Sequence, residues 1–219
     1  MVETNHQTFG AFFEQWIIRQ EHYLRLLLRE MDSGGGHCSD LINQVTRHYA
    51  QYFEAKARAV EEDVFLVLAP TWLSLFERSY LWVGGFRPGM VLCLVGSNVS
   101  DLGDDQSQRI RRLMSETQEE EREIMDELNR VQEEMVSSTM MQVTRHMQNG
   151  EKDELESAID RLKVSMQRVV ECADLLRRKT AVIMLEILNP TQAVKFLAAV
   201  ATLQLSLRKW GMRSDVHKA

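Results

Sequence analysis

A chain of 219 residues with 44% hydrophobic residues and a net charge of −6 is long and apolar enough to bury a core, which excludes an intrinsically disordered chain. No apolar run nears the roughly 20 residues that a membrane-crossing helix needs. The opening MVETNHQTFG lacks the basic-then-apolar order of a secretory leader, so an intracellular protein is expected. Cys38, Cys93 and Cys172 are scattered and odd in number, a pattern that speaks against a disulfide framework.

The charge is unevenly spread. Residues 101–135 hold five arginines against twelve acids, whereas residues 177–219 hold eight lysines or arginines against two acids. The acidic middle repels a phosphate backbone, and the basic end tolerates one. Solvated helix faces explain both stretches.

Prolines stand only at 70, 88 and 190, and the apolar pattern is helical almost throughout. The first predicted helix runs from about Thr8, a plausible cap, to Met31. Its apolar stripe is Phe9, Phe12, Phe13, Trp16, Ile17, Gln20, Leu24, Leu27, Leu28 and Met31. Three glycines at 34–36 form a joint. A second helix starts near Ser39, turns Leu41, Ile42, Val45, Tyr49, Tyr52 and Phe53 inward, and reaches about Phe65. Pro70 suits the first turn of a third helix carrying Trp72, Leu75, Phe76, Ser79 and Tyr80.

The stretch YLWVGGFRPGM at 80–90 then reads as a corner between helices. Gly84 and Gly85 end the third helix, one of them as a left-handed cap. Phe86 turns into the core and Pro88 opens a short helix. Arg87 is expected to meet carbonyls at the helix end or a carboxylate such as Glu77. A phosphate-binding loop would need more glycines between a strand and a helix.

A long helix is predicted from Asp104 to about Glu134. Positions 110, 114, 117, 121, 124, 128, 131 and 135 repeat with gaps of four and three. After an Asn149-Gly150 turn, positions 155, 159, 162, 166, 169, 173 and 176 do the same. Two such seams joined by a short connection pack as an antiparallel hairpin. A parallel zipper dimer is the rival reading, which Thr117 and Glu121 in the seam would weaken. In the closing LNPTQAVKFLAAVATLQLSLRKWG, Asn189 caps, Pro190 takes the first helical position and Gly211 follows the last turn. Phe196, Leu197, Val200, Leu203, Leu207 and Trp210 form the buried face. The fold class that follows is all-α: a single helical bundle with long antiparallel helices, one domain over 1–219 with its core at about 9–211.

Chemistry-bearing patterns are sparse. Of the six histidines only His6 has a glutamate three residues before it, so the pair of Glu-x-x-His motifs of a di-iron bundle is missing, and neither His-Glu-x-x-His nor paired Cys-x-x-Cys occurs. His37-Cys38 reads as a surface pair. DDQSQ at 104–108 lacks a third aspartate for a magnesium site, and a helix N-terminus favours carboxylates for dipole reasons. The methionines, among them Met114, Met125, Met140, Met141 and Met147, read as core filling before they read as an adaptable groove. RIRR at 109–112 enters an acidic helix, unlike a basic DNA-reading region. No catalytic or metal-binding residue is assigned.

Four segments carry a further signal: FGAFFEQWIIRQEHYLRLLL, DVFLVLAPTWLSLFERSYLWVGGFRPGM, EEREIMDELNRVQEEM and ILNPTQAVKFLAAVATLQLSLRKWG. In order and over about residues 9–211 they resemble the plant delay-of-germination (DOG) domain family, whose domain is shared with TGA-type basic-zipper transcription factors. The resemblance implies a stand-alone regulatory member without a zipper-basic region. Its expected role is non-enzymatic control of seed dormancy and germination in the nucleus and cytoplasm, through partners linked to transcription and hormone signalling. Type 2C protein phosphatases and TGA factors are the implied partners, with a homodimer as a further option and no direct DNA binding. Phe12, Phe13, Gln15 and Trp16 match the partner-contacting motif; Gly84, Gly85, Phe86, Arg87 and Pro88 match the structural corner. No cofactor is expected. The alternatives are a pollen-aperture factor, which the family also includes, or a sensor holding haem or an acyl chain. Haem ligation in this family is ascribed to histidines of the C-terminal half, where this sequence has His146 and His217.

Overall fold

In a computed structural model, backbone is described for residues 2–33, 38–149 and 152–216, and side chains for 9–33, 38–136 and 156–213. The glycines at 34–36, His37, Gly150 and His217 lie outside the described residues, as do the side chains of Thr8, Met140, Met141, His146, Met147 and Leu155. The described chain is all-α: α1 Val2–Ser33, α2 Cys38–Leu68, α3 Leu75–Arg78, α4 Pro88–Asn98, α5 Asp104–Asn149, α6 Lys152–Ile187 and α7 Pro190–Val216. Helix α1 begins ahead of Thr8, which is therefore an interior position and not a cap.

Helices α5 and α6 form the long antiparallel hairpin, α1 packs on α2 and α7, and α2 bridges to α6 and α7. The predicted seams meet within one chain. Ile110, Val131, Met166, Val169, Ala173 and Leu176 are buried, while Met135 and Ile159 at the far end stay exposed. Thr117, the polar step in the α5 seam, faces Thr180 across the hairpin with hydroxyls 3.5 Å apart. A buried pair of polar groups that satisfy each other does not disrupt a seam.

Caps set the other boundaries. Asn189 and Gln192 bond reciprocally, each side chain accepting from the other's backbone N–H at 3.0 Å, so α7 starts where Pro190 predicts. Gln192 also donates to the Asp101 carbonyl at 2.8 Å and Gln106 donates to the Ile187 carbonyl at 2.8 Å. Together they pin the start of α5 to the α6–α7 joint. The functional residue of DDQSQ is thus Gln106, while Asp104 and Asp105 stand exposed in the first turn.

Pro70 opens no helix. The third helix is one turn, started by a capping box in which the Ser74 hydroxyl accepts from Glu77 N at 3.2 Å and Glu77 Oε2 accepts from Ser74 N at 2.9 Å. Helix α2 kinks at Asp63, whose φ is −157° and whose carboxylate accepts from Phe65 N.

Two expectations for α7 fail at its end. Trp210 is 65% exposed, and Gly211 lies inside a helix that continues to Val216. The glycine serves close approach. A Cβ there would fall 1.9 Å from Ser74 Oγ and 2.8 Å from Ser74 Cβ. Gly211→Ala is therefore expected to break the α3 capping box and destabilise the fold by about 2 kcal/mol, despite alanine's better helix propensity. Chemical denaturation of the variant checks this; a gain in stability would show that α3 yields at little cost.

Candidate functional site

Helix α1 divides the partner-contacting motif. Phe13 and Trp16 are buried, Phe12 is half-buried and Gln15 is exposed. The 3.6-residue period puts Phe9, Phe13, Trp16, Ile17 and Gln20 on the inner face, with Ala11, Glu14, Gln15, Ile18 and Arg19 outside. Trp16 stacks on His48 at 4.5 Å and 6°, meets Tyr49 edge-on at 5.5 Å, and donates its indole N–H to the His48 carbonyl at 3.0 Å. On the outer face Ile18 is 58% exposed.

Among the described residues neither ring nitrogen of the buried His48 has a hydrogen-bond partner, and Tyr23 crowds the ring at 4.9 Å. Burial, helped by the charge of Arg19, pushes its pKa down to about 4 from the ordinary 6.5. Below pH 6.5 the unfolded chain takes a proton that the folded chain refuses, so stability falls as the pH drops from 6.5 toward 4. His48→Phe is expected to remove about 2 kcal/mol of that acid loss. Melts of both proteins across this range check it, and parallel curves would contradict it.

The corner is a two-residue reverse turn. Trp82 N donates to the Gly85 carbonyl at 2.7 Å and Gly85 N to the Trp82 carbonyl at 3.2 Å. Both central residues have positive φ, Val83 at 45° and Gly84 at 68°, as in hairpin turns of type I′. For a β-branched residue this is strained backbone. No helix abuts it, since α3 ends at Arg78, so the glycines cap nothing. A Cβ on Gly84 would lie 2.8 Å from Val67 Cγ1, and one on Gly85 would lie 2.9 Å from the Arg177 guanidinium.

Arg177 of α6 is the clamp on this turn. Its Nε donates to the Phe86 carbonyl at 2.8 Å and its Nη2 to the Trp82 and Val83 carbonyls. Its Nη1 bonds Asp174, and the guanidinium lies 5.2 Å from the Trp82 ring centre. Asp174 also accepts from Lys56 Nζ at 2.7 Å. Lys56 is 1% exposed. Burial pushes its pKa down to about 8, against the pull of Asp174 and with the help of Arg177.

Arg87 meets a carboxylate, as expected, but not Glu77. Its partner is Glu121 Oε2 of α5 at 2.6 Å, whereas Glu77 is held by Ser74 and by Arg208 at 3.3 Å. The second oxygen of the buried Glu121 accepts from Gly89 N at 2.7 Å, placing an anion at the N-terminus of α4, where the helix dipole favours it. Pro88 takes the first position of that helix and is buried.

Between α1, α2, α6 and α7 and under the corner lies a cavity of about 210 Å³. Its wall is mostly apolar, including Trp16, Tyr49, Tyr52, Phe86 and Val200, with Lys56, Asp174, Arg177 and Glu77 as its charged members. Among the described residues that line it, none is a histidine. Among the described residues no cluster of three or more metal-ligating side chains occurs, and no helix is long and apolar enough to cross a membrane. The three cysteines are free.

The residues that hold this site together went unassigned in the sequence. Lys56 follows Tyr49, Tyr52 and Phe53 on the inward stripe of α2, and Glu121 occupies a seam position. A charge on an apolar stripe was the available signal. Arg177 and Asp174 carried none.

This chain resembles several plant proteins. A family model described as seed dormancy control (DOG1) matches residues 20–97, a span that holds the kink of α2, the capping box and the corner. Protein ZW2 of Arabidopsis thaliana is 31% identical over 96% of this chain and 99% of its own length. Protein DOG1-like 4 of the same plant is 33% identical over 94% and 93%. This chain belongs to the DOG1 family. Another relative, RESPONSE TO ABA AND SALT 1 of Arabidopsis, is 32% identical over 94% of this chain and 95% of its own length. TGA transcription factors match most of this chain but only about half of their own length, so the family domain is shared with them. Membership places the chain among plant dormancy and development proteins, with regulatory proteins and transcription factors as its relatives.

Proposed function

We propose that this chain is a non-enzymatic regulator of seed dormancy and germination, acting in the nucleus and cytoplasm by binding protein partners of transcription and hormone signalling. The observation that carries this reading is similarity along nearly the whole chain to DOG1-like 4, together with the same domain in TGA factors. The charged networks of the fold support it, because Arg177, Asp174, Glu121 and Glu77 are engaged in holding the corner and the caps. A type 2C protein phosphatase or a TGA factor is the partner the reading names.

The outer side of α1 suits such a partner. Gln15 stands exposed with Ile18 and Arg19, with the half-buried Phe12 on the same helix. Protein interfaces combine apolar contacts with a polar rim. Proximity labelling in germinating seed with the full chain and with Ile18→Glu tests this. The expected result is a set of phosphatase or transcription-factor neighbours that the variant loses. Identical labelling by both, or neighbours unrelated to signalling, would count against it.

A further inference from the structure

We propose that the cavity under the corner binds a small apolar monocarboxylate, whose carboxylate is taken by Lys56 with help from Arg177. The charge inventory points there. Two buried cations share one carboxylate, Asp174, at the cavity wall. Among the described residues Lys56 has one hydrogen-bond acceptor, Asp174, so two of its three ammonium hydrogens are unmatched. The other carboxylate on the wall, Glu77, is saturated by Ser74 N, Ser74 Oγ and Arg208. Glu121, the partner of Arg87, is committed to Gly89. A buried cation without its full complement of acceptors is costly, and an incoming anion removes that cost.

Size and lining fix the rest of the ligand. An apolar cavity of 150 Å³ holds one benzene ring. The present cavity, about 210 Å³, takes one ring with a short acidic arm and is too small to enclose a porphyrin. The aromatic and aliphatic wall of Trp16, Tyr49, Phe86 and Val200 suits such a body, and the few polar groups sit where they would orient it. This inference goes beyond the partner-binding reading and stands apart from it, since the outer face of α1 and the cavity lie on opposite sides of that helix.

The test compares phenylacetate with phenylacetamide on the full chain by titration calorimetry. The acid is expected to bind about tenfold more tightly than the amide, as a charged hydrogen bond implies. Lys56→Met leaves Asp174 paired with Arg177 and the cluster neutral, so the variant is expected to fold and to lose the acid preference. Val200→Phe fills the cavity and is expected to abolish both ligands' binding. Equal affinity for acid and amide, no binding of either at millimolar concentration, or an acid preference that survives both variants would overturn the proposal. The comparison on the unaltered chain decides even if a variant fails to fold.

Discussion

Arg177→Met is expected to lower the unfolding free energy by about 4 kcal/mol, among the largest effects of any single substitution in this fold. Three of the bonds lost hold the carbonyls of Trp82, Val83 and Phe86. These carbonyls define a turn whose Val83 already sits at positive φ. Methionine matches the volume of the arginine stem but takes this donor from the Val83 and Phe86 carbonyls and leaves the Trp82 carbonyl with Gly85 N alone. It also leaves Asp174 to Lys56 alone. Arg177→Lys is expected to rescue little, because a point ammonium cannot span a fork of four acceptors. Lys56→Met is the contrasting case. It removes the surplus charge and keeps a neutral pair, so it is expected to cost less than 1 kcal/mol or to stabilise. Denaturant melts of the three variants check the order. If Arg177→Met melts like the unaltered chain, the corner is held by its own turn and needs no clamp.

Trp16→Ala is expected to destabilise by a similar amount, about 4 kcal/mol. The indole is fully buried, contacts Phe13, His48, Tyr49 and Tyr52, and satisfies the His48 carbonyl. Its removal enlarges the cavity that the indole lines and takes a second donor from that carbonyl, which keeps its place in the α2 ladder. Gln15→Ala, one residue away and exposed, is expected to change stability by less than about 0.5 kcal/mol. The two neighbours thus separate folding from recognition. A partner lost by Trp16→Ala reports on the core, whereas a partner lost by Gln15→Ala or Ile18→Glu at unchanged stability reports on the surface.

How legible the molecule was depends on how local the deciding interaction is. The start of α7 follows from LNPTQ because cap, proline and Gln192 lie within four residues. The α5–α6 hairpin follows from its seams because a repeating period averages out single misfits such as Thr117. The start of α3 was misplaced at Pro70 because two start signals compete within five residues, and the Ser74–Glu77 box prevails. Gly211 was misread because glycine marks both a helix end and a close approach. Only the distant Ser74 decides between them.

The site itself was the least legible. Phe12, Phe13, Gln15 and Trp16 were grouped as one motif, but their helical spacing divides them between inside and outside. Arg87 finds its carboxylate 34 residues away, Arg177 grips a turn more than 90 residues earlier, and Lys56 meets Asp174 across 118 residues. Sequence periodicity puts Lys56 and Glu121 on inward stripes and is silent on Arg177. It says nothing of which meet.

The most direct test of this account is a paired thermal melt of Trp16→Ala and Ile18→Glu, each beside the unaltered chain and read by far-ultraviolet circular dichroism. The expected result is a helical Ile18→Glu protein with an unchanged midpoint and a Trp16→Ala protein whose midpoint falls by about 10 °C or more. A Trp16→Ala protein as stable as the unaltered chain would place the indole on the surface and contradict the division of α1 into a core face and a partner face.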